Sequence, residues 1–196
     1  MPTKPDAKVQ ELLTDAARKL RILDIFVRSS QCRVSDDVIP TNAEKNLAFQ
    51  YRFQTSRERT CIMSDPESAG KVEIVEYLVT AQARFLSQDH IKDDSPTEDL
   101  EKGALFGEVS ATFSAVYLRN DCSSEGLSAF GRHNVPLHVW PYWRELLQNT
   151  LPRMRLPPIT LGMYQAGQRA HAPATMDGLL ATDDRVPARR KKARKR

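Results

Sequence analysis

From Leu47 to Gln54 the chain alternates without a break. Leu47, Phe49, Tyr51 and Phe53 fall on one side; Ala48, Gln50, Arg52 and Gln54 fall on the other. Successive side chains of a strand point to opposite faces, so this pattern predicts a half-buried strand over residues 46–55. A face carrying this many rings must be covered by a second layer. That requirement narrows the folds open to the chain more than any other feature of it.

Three further segments share the strand character. Residues 21–34 hold Ile22, Leu23, Ile25, Phe26, Val27 and Val34, a β-branched and aromatic mix. In residues 71–87, Val72, Ile74, Leu78 and Leu86 point one way, and Val75, Tyr77, Val79, Ala81 and Phe85 the other. Both faces of that strand are partly apolar, so both should be covered. Residues 104–118 place Leu105, Val109, Ala111, Phe113, Ala115 and Tyr117 on one face. A polar stretch with Pro40 and Asn42, a turn from Asp65-Pro66 to Gly70 and an acidic loop over 89–102 separate the strands.

Helical periodicity flanks them. Val9, Leu12, Leu13, Ala16, Ala17 and Leu20 form one stripe, predicting an amphipathic helix over 6–20. Ser123 or Ser124 begins a short helix over 123–131, with Glu125 in its first turn. Pro141 opens a stronger helix over 141–150, with Trp143, Leu146, Leu147 and Thr150 on one stripe. The proline-rich LPPITL that follows is extended. Strands in a run and then helices give an α+β fold: a four-stranded antiparallel meander packed on C-terminal helices, with an extra N-terminal helix. The expected organisation is a helix over 1–20, a domain over 21–164, and a disordered tail over 165–196.

The formal charge of +4 conceals two regions. Arg185 to Arg196 carries eight Lys or Arg and no acid, so the whole-chain +4 less these eight leaves −4 for the remainder. The basic tail could meet phosphate electrostatically. It holds no aromatic residue for base stacking. Cys32, Cys61 and Cys122 are widely spaced with no CxxC, and read as idle thiols of a reducing compartment. No apolar run approaches the roughly 18 residues of a spanning helix, and MPTKPDAKVQELL has no signal-peptide core. A cytoplasmic location without membrane insertion is the expectation.

Chemistry has little foothold. No GxxxxGK[ST], GxGxxG or GxSxG occurs. His133 and His138 lie near a proline with no third ligand in sight, and the acid pairs Asp36-Asp37, Asp93-Asp94 and Asp183-Asp184 sit in loops. No catalytic residue, metal or cofactor is expected, and the chain is read as no enzyme.

Residues 134–161, NVPLHVWPYWRELLQNTLPRMRLPPITL, are the most distinctive stretch. Trp140, Pro141 and Tyr142, then Arg144-Glu145, a helix and an extended proline segment resemble the SecB family of export chaperones. Glu108 to Leu118, with Phe113-Ser114, looks like the family's last strand. The likeness covers about residues 21–164 and is specific in WPYWRE. The added N-terminal helix and the basic tail depart from it; that helix is similar to the SecB-like proteins that guard antitoxins in toxin–antitoxin–chaperone systems.

What the resemblance implies is an ATP-independent holding chaperone. It would be a homotetramer, a dimer of dimers, that binds unfolded polypeptide in apolar grooves. Val38 and Ile39, in the loop after the first strand, and Tyr51, Tyr77, Trp140, Trp143 and Leu147 are the expected client-binding residues. Trp140 and Tyr142 are expected nearer the core, and Trp143 nearer the groove. Clients would be preproteins or an antitoxin. The handover partner would be a SecA-like motor meeting Glu73 and Glu108 on the outer sheet face, or the antitoxin itself. A nucleic-acid-binding protein acting through the basic tail is the alternative.

Overall fold

The computed structural model describes residues 6–36, 47–64, 71–87, 105–164 and 174–175. The order is α1 (Ala7–Lys19), β1 (Leu20–Val34), β2 (Leu47–Ser64), β3 (Lys71–Ser87), β4 (Leu105–Arg119), α2 (Ser124–His133), α3 (Val135–Thr150), a 3-10 turn (Leu151–Met154) and a two-residue β5 (Ala174–Thr175). The four long strands and the helices make an α+β fold.

Every strand pair is antiparallel, in the order β1-β4-β3-β2-β5. β2, β3 and β4 form the expected meander. β1 departs from it: it crosses to the far side and pairs with β4 instead of β2. β4 alternates buried and half-buried residues with none exposed, and as a central strand it has a neighbour on each side.

One face of the sheet carries the core. Phe53, Ala81 and Ala111 align across three strands, as do Thr55, Val79 and Phe113, and Tyr77 faces Ala115 across two. α3 lies across this face, touching β2, β3 and β4, and α2 packs against β2. α3 begins at Val135, six residues before the predicted start, and Pro141 is inside it rather than in its first turn. Pro141 leaves the Leu137 carbonyl without its helical donor, but both residues are exposed, so water can supply one. Pro136, Val139, Trp140, Trp143 and Leu147 then fall on one buried stripe.

α2 begins as expected: the Ser123 hydroxyl accepts from the Gly126 amide at 3.1 Å. α1 packs on α2, where a Cβ at Gly126 would lie 3.7 Å from that of Ala16. It runs into β1 without a loop, and Asn120 N–H donates to the Lys19 carbonyl at 2.9 Å.

β2 extends nine residues past its predicted end. Residues 56–64 are too polar to advertise a strand, and it is hydrogen bonding to residues 71–78 of β3 that makes them one. Ser56 is an extra residue in that ladder, since Thr55 pairs with Val79 and Arg57 with Leu78. This bulge shifts the alternation by one. It sends Arg57 and Arg59 to the face away from the helices.

Candidate functional site

An aromatic seam runs beside the outer edge of β2. Phe49, Tyr51 and Phe53 project from the strand towards the helices. Phe49 and Tyr51 stack with centroids 5.9 Å apart. Tyr51 lies 5.8 Å from Trp140, and Phe53 meets the Trp140 ring edge-on at 5.0 Å. The segment after α3 closes the seam. Arg155 adopts a left-handed conformation (φ 54°) and turns the chain, with Leu156 N–H donating to Leu151 O at 3.0 Å. Residues 156–164 then run back along the sheet. Gly107 makes room for Leu156, since a Cβ there would sit 2.9 Å from Leu156 Cδ1. Gly162 accepts from the Trp140 indole N–H at 2.9 Å, and Tyr164 lies 5.4 Å from Trp140 and 5.7 Å from Phe53.

Phe53 and Trp140 are buried, while Tyr51 and Tyr164 are half-buried. The two tyrosines are therefore the accessible rings. Burial raises the pKa of both phenols, and Tyr51 raises that of Tyr164 further. Both stay neutral, with an apolar body and a polar tip. Next to the seam, β5 pairs with β2, Thr175 opposite Ala48 and Ala174 opposite Phe49. Among the described residues the outer edge of β2 has no strand partner from Gln50 to Ser64. Such an edge offers its backbone groups to any extended chain.

The predicted site residues separate. Tyr51 and Trp140 join the seam. Trp143 does not: it is fully buried, edge-on to Phe113 at 6.4 Å, so its expected place near the groove is corrected. Tyr142, expected near the core, is 43% exposed. Both corrections have one cause. An α-helix puts 140, 143 and 147 on one face, and the packing of that face on the sheet leaves 142 outside. Leu147 is buried in the same stripe. Tyr77 is buried under α2, its hydroxyl donating to Leu127 O at 2.9 Å, and its pKa is strongly raised by burial. Val38 and Ile39 lie outside the described residues, as does the basic segment 185–196. Tyr164 was missed because the segment holding it shows no periodicity.

The open face of the sheet differs from the acidic surface that the resemblance implies. Glu108 is on it but accepts from Arg84 Nε at 3.0 Å and Gln82 at 2.8 Å. Glu73 has the register of the helix-covered face and pairs with Arg119 at 3.4 Å. At its centre Glu76, 4% exposed, accepts from Arg28 at 2.6 Å and from Arg59 and Ser114. Burial alone would raise the Glu76 pKa; these hydrogen bonds outweigh it and hold the carboxyl below its ordinary range.

No described helix is long and apolar enough to cross a membrane, and no group of three or more His, Cys, Asp or Glu among the described residues could hold a metal. No protein-family model matches the chain, and no curated protein does. Similar solved structures include the Mycobacterium tuberculosis Rv1957 SecB-like chaperone in complex with a ChAD peptide from the Rv1956 HigA1 antitoxin. It is 19% identical, with a TM-score of 0.56, over 80% of this chain and 98% of that one. A Streptococcus agalactiae protein of unknown function is 12% identical over 74% of this chain and 98% of that one, but its TM-score is 0.28, too low to inform the fold. Helices on one face of an antiparallel sheet, β1 beside β4, and the match to Rv1957 together identify the fold of this chain as SecB-like.

Proposed function

We propose that the chain is an ATP-independent holding chaperone for non-native polypeptide, and that an antitoxin is the client class it fits best. The observation that carries this reading is the pairing of β5 with β2 at Ala48 and Phe49, beside the half-buried rings of Tyr51 and Tyr164. The strand edge supplies backbone hydrogen bonds to any extended sequence, and the ring faces accept many side chains. Affinity with little sequence stringency follows. The Rv1957 structure, solved with an antitoxin peptide, favours the antitoxin over a preprotein.

Self-association belongs to the same proposal. The edge strand β1 exposes Ile22 (46%), Leu23 (48%), Phe26 (41%) and Val27 (44%). A long edge with this much apolar surface is an association site, and a second copy would cover it. A homotetramer built through it, with no catalytic step and no nucleotide, is the working form in this reading.

The test is suppression of aggregation of a chemically unfolded client, without nucleotide, by the purified full-length chain. Suppression near one assembly per client is expected. A monodisperse monomer that leaves aggregation unchanged would sink the proposal.

A further inference from the structure

We propose that the open face of the sheet, opposite the helices, is a docking surface for an acidic polypeptide segment. This goes beyond the chaperone reading and uses none of the seam residues.

The register sets the charge of this face. β1 contributes Arg21, Arg28 and Arg33, β2 contributes Arg52, Arg57 and Arg59, and β3 contributes Arg84. The acids facing the same way are Asp24, Glu76 and Glu108. Glu76 is occupied by Arg28 and Arg59, and Glu108 by Arg84. Arg21, Arg33, Arg52 and Arg57 make no ion pair among the described residues. A body that is acidic on average thus concentrates guanidinium groups on one surface. Two bulges build it: the one at Ser56 turns Arg57 and Arg59 outward, and Arg28 is itself the extra residue of another.

The face is also shaped. A hollow of about 550 Å³ crosses all four long strands. Its lining includes Thr80, Gln82, Ser110 and Thr112 on the central strands, and Arg52 and Gln54 on β2. The short side chains of the centre create the depression. Hydroxyls and amides lining it both donate and accept, which suits the backbone of an extended peptide. Guanidinium groups at the rim suit carboxylates, which they bind through paired hydrogen bonds.

Nucleic acid is the weaker fit. Sheets that bind single strands stack bases on aromatic side chains, and no residue lining the hollow is aromatic. A duplex is read by an element that projects into a groove, and this surface is concave.

The experiment uses the full-length chain, a fluorescein-labelled peptide alternating Glu and Ser, and a labelled single-stranded oligonucleotide. Two variants are compared. Arg52→Gln with Arg57→Gln alters the face at exposed positions without an ion pair, so folding is unaffected. A second variant changes Arg189, Arg190, Lys191 and Lys192 to Gln and tests the basic tail. The expected result at low salt is a loss of peptide affinity on the order of tenfold in the face variant, with most affinity kept in the tail variant. Binding of an unfolded apolar client should be the same in the face variant and the parent, which separates this surface from the chaperone reading. The proposal is overturned if the face variant binds the peptide like the parent, if the loss follows the tail variant, or if the oligonucleotide binds more tightly through the same arginines.

Discussion

The Phe53 and Trp140 rings meet edge to face, 5.0 Å apart at 86°, and the indole N–H of Trp140 is held by the Gly162 carbonyl at 2.9 Å. Trp140 is thereby fixed as floor, and the rings left to meet a client are Tyr51 and Tyr164. Replacing both by Ala should weaken binding of an unfolded polypeptide on the order of tenfold, read by fluorescence anisotropy. The urea midpoint should move little, because both side chains are only half-buried. Phe53→Ala should do the reverse, with a stability loss of about 3 kcal/mol or more.

Trp143 belongs to the core, so its truncation is a stability experiment. Trp143→Ala should cost roughly 3–5 kcal/mol in urea denaturation. Its indole nitrogen is buried with no acceptor among the described residues. Trp143→Phe should therefore cost clearly less, because it removes a buried donor together with the ring volume.

Gly131 sits in α2 directly above Tyr77. A Cβ there would lie 2.6 Å from Tyr77 Cε1. In an exposed helix, Gly→Ala gains up to about 1 kcal/mol. Here packing wins: Gly131→Ala should lose about 1–3 kcal/mol, and thermal unfolding checks the sign.

Acid should act through Glu76. Its folded pKa is lowered, so the unfolded state takes up the proton first as pH falls. The stability it contributes is complete above the unfolded value, about 4.3, and is lost as pH falls through the folded value. Glu76→Gln should lower stability at neutral pH by about 1–3 kcal/mol and flatten its dependence on pH below 5, measured by urea titration across pH. His138, which shares a hydrogen bond with the Tyr117 hydroxyl at 2.9 Å, has its pKa lowered by burial. It adds a second loss that begins as pH falls below about 6.5 and is complete below the folded value.

Charge on β1 tests the assembly. Ile22→Glu with Val27→Glu places two carboxylates on the exposed apolar edge strand. Native mass spectrometry should show a smaller species than the parent protein forms.

Much of the architecture was legible from periodicity. The alternation of Leu47, Phe49, Tyr51 and Phe53 placed a half-buried strand, and the stripe from Val9 to Leu20 placed α1. The segment WPYWRE pointed to the fold that the match to Rv1957 supports. The site was less legible. Tyr51 and Trp140 stood out as aromatics on patterned elements, but Tyr164 lies in an unpatterned stretch and reaches the seam only because Arg155 turns the chain.

Local pattern by itself determined where the main strands and helices lie and which sides of their patterned parts are apolar, because alternation and the helical repeat act within one segment; it did not reach residues 56–64 of β2 or the first turns of α3. Only the tertiary structure decided which apolar positions are sealed and which remain open. The packing of one face of α3 on the sheet buried Trp143 and left Tyr142 exposed. The bulge at Ser56 exchanged the faces of β2 and carried Arg57 and Arg59 to the open side. β1 took its place beside β4, which has no exposed residue along its length. The first outcome depends on which face of α3 meets the sheet, and the other two on hydrogen-bond ladders between segments distant in sequence, whose pairing the periodicity of one segment does not specify.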